Sequence, residues 1–383
     1  METLLKIPKK AIKGIKIVSG DIANILRRQA RFYQVRPSSS TLFLTYRCNS
    51  HCMTCTFWKR PGQEEKKKEI GFKEWRLIID KLADSGVETA EVFGGNVLLR
   101  KELLISVLEY LRKKDIVIHL PTNQIGLDDD IGEAIASTVN YVYISTDGVG
   151  EYQDNIRGQE GAFNRAENTI TKLLKLRDNN KSPRLVCNTT VSKYNVNILE
   201  KVVEYALDMG FDEIHFEYAG EMSQEHIEHS IIDGLRPTPY YVRQEESILV
   251  DQAGARVLKN SLRRIKQKYS DKNIDIRTIN IDSLSERNLY EGTIPHKKCY
   301  VERDEVTVDP SGNLIICPFI NNYIMGSLIK SSLKEVWNNE RHRNFRQYQN
   351  LGALEMCKHC ILGVQRNPGL LTSLKRVYLS RFA

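Results

Sequence analysis

Eight cysteines are spread through 383 residues, and seven of them fall into two sets. The first is Cys48, Cys52 and Cys55, a C-x3-C-x2-C run with His51 inside it. Three thiolates this close can each hold one iron of a cubic four-iron cluster, and the fourth iron is then open to chelate the amino and carboxylate groups of a small ligand. The alternative is a zinc knuckle with His51 as fourth ligand. The second set is Cys299, Cys317, Cys357 and Cys360, spaced C-x17-C-x39-C-x2-C. Four thiolates would fill all four irons of a cube. On spacing alone a four-cysteine zinc site is favoured here, because zinc ribbons are also built from a hairpin plus a CxxC pair. Eight cysteines are too few for a disulfide scaffold in a chain of this length, and such spacings in a cytosolic protein point to metal.

The elements that must position these residues show in the hydrophobic pattern. Strand-like apolar runs occupy 41–46, 88–93, 116–121, 139–146, 184–191 and 213–218. Helical patterns lie between them at 72–85, 101–113, 128–137, 163–177 and 196–209. Six strands alternating with helices predict an α/β fold of parallel βα units, and right-handed crossovers make it a partial (βα)6 barrel over 37–220. Chemistry in such folds lies at the C-terminal ends of the strands. The first cysteine run begins just beyond the first strand, at that end. Residues 221–295 are less regular, with a helical pattern around 243–268, and are expected to bridge two domains. Residues 296–383 are expected to form a small C-terminal domain. There a strand, the turn Asp309-Pro310-Ser311-Gly312 and a second strand make a hairpin, and a helix follows around 332–345. No internal repeat or low-complexity tract is present.

Strand alternation predicts which side chains face the lumen. On 213–217, Ile214 and Phe216 should face the helices, which sends Glu213, His215 and Glu217 inward. His215 and Glu217 lie nearest the catalytic end and are candidates for substrate contact or proton transfer; the plainer reading is a satisfied polar pair bracing the barrel. Cys187, the cysteine outside both sets, neighbours Asn188 on the fifth strand. If Asn188 faces the lumen, Cys187 faces the helices as a small buried hydrophobe.

Apolar residues make up 41% of the chain, enough for a sizeable core and too many for a disordered one. No apolar run is long enough to span a membrane. Lysines scattered through the first twenty residues do not fit a secretory signal, and a cytoplasmic location is expected. The net charge of +8 is uneven. Residues 1–36 carry nine Lys/Arg against Glu2 and Asp21, and 366–383 carry Arg366, Lys375, Arg376 and Arg381 with no acid, which leaves the body slightly acidic. The two basic ends are expected to be helices packed on the body, or a contact for an anionic membrane surface, carrier or leader peptide. Nothing in the body suggests nucleic-acid binding.

The C-x3-C-x2-C run at this place after a first strand resembles the radical S-adenosylmethionine (SAM) superfamily, and the resemblance covers most of 41–220. It implies a reduced four-iron cluster that donates an electron to SAM, release of methionine, and a 5′-deoxyadenosyl radical that abstracts hydrogen from a substrate. It also implies an external electron donor such as flavodoxin or ferredoxin. Gly94-Gly95-Asn96 stands where the family usually has Gly-Gly-Glu. The glycines are expected to let the backbone approach the methionine end of SAM, and Asn96 to accept from its amino group without the usual charge. Thr122-Asn123 is similar to the family's Thr-Asn-Gly. Ser145, in Ser145-Thr146-Asp147-Gly148, matches the ribose contact. Arg157 resembles the arginine that meets the SAM carboxylate, and Asn188 matches the polar residue facing ribose and methionine. The segment from Cys299 through Gly312, Cys317, Gly326-Ser327-Leu328, Val336-Trp337 and Cys357-Lys358-His359-Cys360 looks like a SPASM domain in its reduced form. Beside a radical SAM core, this favours one auxiliary four-iron cluster over zinc at the second set.

Three functional readings follow. The first is oxidation of an alcohol or amine carbon on a carbohydrate, aminocyclitol or similar metabolite, with the auxiliary cluster taking an electron. The second is crosslinking or oxidation of a ribosomally made peptide, weighed down slightly because no winged-helix-like module precedes the core. The third is a non-catalytic iron–sulfur or zinc protein, against which the intact Cys48, Cys52 and Cys55 argue.

Overall fold

The structure is a computed structural model that describes residues 37–60, 68–123, 127–177, 182–294, 299, 301, 305–350 and 352–362. Both basic ends lie outside these residues.

The first half of the chain forms β1 (Ser39–Thr45), α1 (Phe72–Asp84), β2 (Thr89–Gly94), α2 (Lys101–Lys113), β3 (Val117–Thr122), α3 (Asp129–Thr138), β4 (Tyr141–Ser145), α4 (Glu151–Arg157), α5 (Ala162–Leu176), β5 (Arg184–Val191), α6 (Leu199–Asp208) and β6 (Glu213–Tyr218). The strands pair in parallel in chain order. Their alternation separates two environments. Ile118, Leu120, Val142, Ile144 and Ile214 are fully buried under the helices, while His119, Pro121, Tyr143, Ser145 and His215 remain partly open on the lumen side. The helices answer with apolar stripes at three- and four-residue spacing, such as Trp75, Ile78, Ile79 and Leu82 on α1. Each such side chain contributes about 1.5–3 kcal/mol when fully buried. Asp128 starts α3 by accepting the Ile131 N–H at 3.1 Å, and so sits just outside the helix as its cap.

The second half comprises α7 (Gln224–Glu228), α8 (Gln252–Lys268), β7 (Asp275–Arg277), α9 (Ile279–Asp282), α10 (Glu286–Glu291), β8 (Glu305–Val308), β9 (Asn313–Ile315), β10 (Ile324–Ser327), α11 (Leu333–Val336) and α12 (Glu340–Asn350). Two pairings differ from the sequence expectation. β7 adds to β6 in parallel, and β8 adds in parallel to the other edge of β1. The partial barrel thus grows beyond six strands into one ten-stranded sheet, ordered β10-β9-β8-β1-β2-β3-β4-β5-β6-β7. The C-terminal hairpin is not a detached unit but an extension of the barrel edge. Thr41 donates to Glu305 at 2.7 Å across the β1–β8 seam. Lys81 on α1 donates to the carbonyls of Leu328, Ile329 and Ser331 at 2.6–3.3 Å. The expected 332–345 helix is two helices, split where Asn338 takes a positive φ of 70°.

Candidate active site

The loop after β1 holds the first three cysteines, and backbone contacts clamp it from two sides. Gly95 and Asn96 donate to the carbonyls of Thr45 and Arg47 at 3.1 and 2.8 Å. A Cβ on Gly94 would stand 2.5 Å from the Thr45 oxygen, and one on Gly95 only 2.2 Å from that of Arg47. The glycines are therefore required by the cysteine loop packed against them, rather than by a ligand alone as the sequence suggests. On the other side Met53 N–H donates to Ile156 O at 2.9 Å. Gly158 (φ +60°) ends α4, where a Cβ would lie 2.4 Å from the His51 oxygen.

Cys48, Cys52 and Cys55 line a cavity at the C-terminal end of the strands. Gly94, Gly95, Asn96, Thr122, Asn123, Ser145, Arg157 and Asn188 line the same cavity. Asn123 Nδ2 donates to Ser50 Oγ at 3.0 Å, so it also braces the loop. Asn96 Oδ1, expected to serve the SAM amino group, already accepts the Leu98 N–H at 3.1 Å. Its Nδ2 donates to Asn49 Oδ1 at 2.9 Å. Asp147 is absent from the described cavity wall. It is 1% exposed, accepts Arg157 Nη1 at 3.0 Å and the Thr190 N–H at 2.8 Å, and so aims the arginine. Arg157 lies beside the cysteines; burial acts to lower its pKa, but the charge it meets once Cys52 is ionised, with the charge and hydrogen bond of Asp147, raises it above its ordinary value.

Two observations test the fit of the implied groups. Burial raises all three thiols, with Cys55 pushed up to about 12. Such thiols become thiolates only when a cationic centre supplies the opposing charge. Asn188 Oδ1 is buried at the cavity wall without a hydrogen-bond partner, which suits a ligand donor such as a ribose hydroxyl. The residues present therefore fit a four-iron cluster with SAM beside it.

The second set converges from three places. Cys317 follows β9, and Cys357 and Cys360 lie on and just after the turn Glu355–His359. Burial is the largest cause that raises the thiols of Cys317, Cys357 and Cys360, and nearby Cys299 raises each of them further. The turn is tied down by Met356 N–H donating to Ser230 Oγ at 2.9 Å and by Ile294 N–H donating to Lys358 O at 2.7 Å. Among the described residues no three His, Cys, Asp or Glu side chains close around one point as the ligands of a single ion do. A cube carries its thiolates on separate irons, hence further apart.

A further cavity, about 440 Å³, lies deeper in the lumen. Phe93, Pro121, Asn188, Tyr240 and Tyr241 belong to its wall and to that of the first cavity. Pro318 and Leu362, beside Cys317 and Cys360, also reach it. His215 and Glu217 line it. At its base Glu213, 2% exposed, binds Arg184 at 3.0 Å, Arg277 at 2.8 Å and His215 Nε2 at 3.2 Å. Burial pushes Glu213 up, but the His215 hydrogen bond and the arginine charges more than reverse it and leave the carboxyl below its ordinary value. Cys187 is fully buried on the helix side, on a strand whose register with β4 and β6 is unbroken. Sequence reasoning missed Tyr240, Tyr241 and Arg277. They lie in the irregular bridge, where only the aromatic pair after Pro237 and Pro239 gives a local signal.

Known proteins agree with this geometry. The family model of the radical SAM superfamily matches residues 42–206, and that of the SPASM iron–sulfur cluster-binding domain matches 299–361. The sporulation killing factor maturation protein SkfB of Bacillus subtilis is 29% identical over 45% of this chain; the match spans only 40% of SkfB. The AdoMet-dependent heme synthase of Methanosarcina barkeri is 26% identical over 82% of this chain and 87% of its own length. The crystal structure of Streptococcus suis SuiB bound to its precursor peptide SuiA superposes with a TM-score of 0.61 at 13% identity, covering 94% of this chain and 78% of SuiB. No described helix is long and apolar enough to cross a membrane. The chain thus carries a radical SAM domain over residues 42–206, of the kind that binds SAM and a four-iron cluster, and a C-terminal SPASM domain over 299–361, of the kind that binds auxiliary iron–sulfur.

Proposed function

We propose that this chain modifies a ribosomally made peptide, by hydrogen abstraction followed by oxidation or crosslinking at the abstracted site. SAM and the barrel cluster supply the radical; the chain's own residues place and deprotonate the substrate. The observation that carries the reading is the lumen cavity. It is walled by Phe43, Phe93, Tyr143, Tyr240 and Tyr241, and it reaches from the SAM side to the residues beside the auxiliary cysteines. That shape suits one side chain with its flanking backbone, held between the radical source and an electron acceptor. SkfB and the SuiB–SuiA complex support the same substrate class. The carbohydrate or aminocyclitol reading gains no such support.

A porphyrin substrate is the second reading, favoured by the long match to the heme synthase. The charge of the cavity weighs against it. Its described wall carries Glu91 and Glu217, and its arginine, Arg277, is bonded to Glu213 and Asp275. Porphyrin carboxylates would meet a wall of their own sign.

His215 is the proton acceptor in this proposal. With Nε2–H turned to Glu213, the carboxylate fixes the tautomer that leaves a lone pair on Nδ1, and the ring lines the cavity. Glu217, one inward position nearer the SAM side, contacts the substrate. The external flavodoxin- or ferredoxin-type donor, the cytoplasmic location and any anionic contact of the basic ends belong to the same proposal.

The test is to incubate the reconstituted enzyme, SAM and dithionite with short peptides encoded beside its gene, with an iron porphyrin, and with an aminocyclitol. The expected result is 5′-deoxyadenosine formed in step with loss of hydrogen from a peptide. His215→Gln should still cleave SAM but release far less modified peptide. Turnover of the porphyrin or the aminocyclitol and of no peptide would overturn the proposal.

A further inference from the structure

Each cysteine set contains the same short pattern. Cys55-Thr56-Phe57 and Cys317-Pro318-Phe319 both place a phenylalanine two residues after a cluster cysteine. In the first, the Phe57 N–H donates to the Cys55 sulfur at 3.4 Å. The two rings then meet the same tyrosine. Phe57 lies 5.0 Å from Tyr240 between ring centroids, and Phe319 lies 4.7 Å from it. These are contact distances for tilted rings. Tyr241 packs on the same pair, 4.8 Å from Tyr240 and 5.6 Å from Phe319. Tyr240 is only 6% exposed, and its backbone is pinned by the Thr56 N–H at 2.9 Å, so the contact is fixed at the cysteine loop itself.

Ordinary core packing would account for three rings in contact. It does not account for a stack whose two end residues each lie two positions after a cysteine of a different set. We propose that Phe57, Tyr240 and Phe319 form the electronic bridge between the two cysteine sites. The rings carry one electron from a reduced four-iron cluster at one site to an oxidised one at the other. One cluster loses a charge, the other gains it, and no bond or proton changes place. The ring of Tyr240, not its hydroxyl, does this. Burial raises the phenol well above its ordinary value, and the path runs through the packed rings, with the Phe57 N–H···S contact at the Cys55 end. The same tyrosine lines the cavity where the substrate radical would form, so an electron leaving the substrate enters the bridge at its middle.

The experiment is flash photoreduction of the doubly loaded enzyme, without substrate, followed by freeze-quench EPR. The Cys48/Cys52/Cys55→Ala variant identifies the auxiliary signal. Tyr240→Leu keeps an apolar filler but opens a gap between the end rings. It should slow redistribution of the electron between the two signals by at least an order of magnitude, with iron content and both midpoint potentials unchanged. Tyr240→Phe should redistribute at the wild-type rate. If Tyr240→Leu fails to load iron, Phe319→Leu opens the same gap at the other end and should give the same slowing. Wild-type redistribution in the leucine variants would overturn the proposal, and so would equal slowing in Tyr240→Phe.

Discussion

The two cysteine sites are assembled in opposite ways. Cys48, Cys52 and Cys55 lie on one loop of eight residues, held by backbone contacts to Gly95 and Ile156. The ligand set is local, so the loop needs only its immediate neighbours to be correct, and its three thiols would leave the fourth iron of a cluster for another ligand. The second set draws on positions from 299 to 360, and its CxxC turn leans on Ser230 and Ile294 in the bridge. That ligand set is global: it exists only when β8–β10, the bridge and the turn have all docked. An open site built locally and a closed site built from distant parts should differ in what breaks them.

The largest effects follow from removing ligands. Replacing Cys48, Cys52 and Cys55 together by Ala should remove about four of about eight irons and all SAM cleavage, with little change in melting temperature. Cys317→Ala should instead lower the melting temperature markedly as well as the iron content, because metal binding at a dispersed site is linked to folding. Iron analysis with differential scanning calorimetry checks both. Equal thermal losses in the two variants would end the local–global distinction.

A smaller effect sharpens the same comparison. Gly95→Ala forces a Cβ to within 2.2 Å of the Arg47 oxygen. The loop must shift, at about 1–3 kcal/mol, and the first site should lose iron while the second keeps it. Site-resolved Mössbauer or EPR integration reads this out, and full occupancy of both sites would contradict the clamp.

A weaker, pH-dependent effect is expected at Glu213. Its folded pKa lies below the ordinary value of 4.5. A depressed carboxylate contributes stability that is present above its unfolded pKa and lost as pH falls through its folded one. Glu213→Gln should therefore lose stability near neutral pH, and its melting temperature should fall less than that of wild type below about pH 5. Parallel melting-temperature profiles would remove Glu213 as the anchor of Arg184, Arg277 and His215.

The smallest effect is expected for Cys187→Ala. The side chain is fully buried away from the lumen, so a loss of about 1 kcal/mol is expected, with turnover retained and no solvent deuterium in the product. A variant that stops after one hydrogen abstraction would make Cys187 a hydrogen donor and contradict its placement.

The barrel was legible because its strands are long and alternate: the runs 184–191 and 213–218 match β5 and β6 residue for residue. β7 was not, since Asp275–Arg277 is too short to carry a period. The hairpin of β8 and β9 was legible from its turn, where Asp309 accepts the N–H groups of Ser311 and Asn313. That β8 would lie against β1 was not, because nothing in a four-residue strand names a partner so far away in the chain. At the site, spacing alone showed the cysteines. The role of Asp147 needed its two hydrogen bonds, and Tyr240 needed the third dimension, since its significance lies in what it touches on both sides.

The seam between β1 and β8 also bears on how the chain is made. On the ribosome β1 emerges early and finds β2 soon after, but its other edge must wait for Glu305–Val308. Until then Leu42, Phe43 and Leu44, all without exposure in the finished protein, border an unsatisfied strand edge. Such edges are templates for pairing with foreign chains. A nascent chain that stalls in the bridge would thus be the form most open to aggregation, and release from that hazard comes with the same hairpin that delivers Cys317.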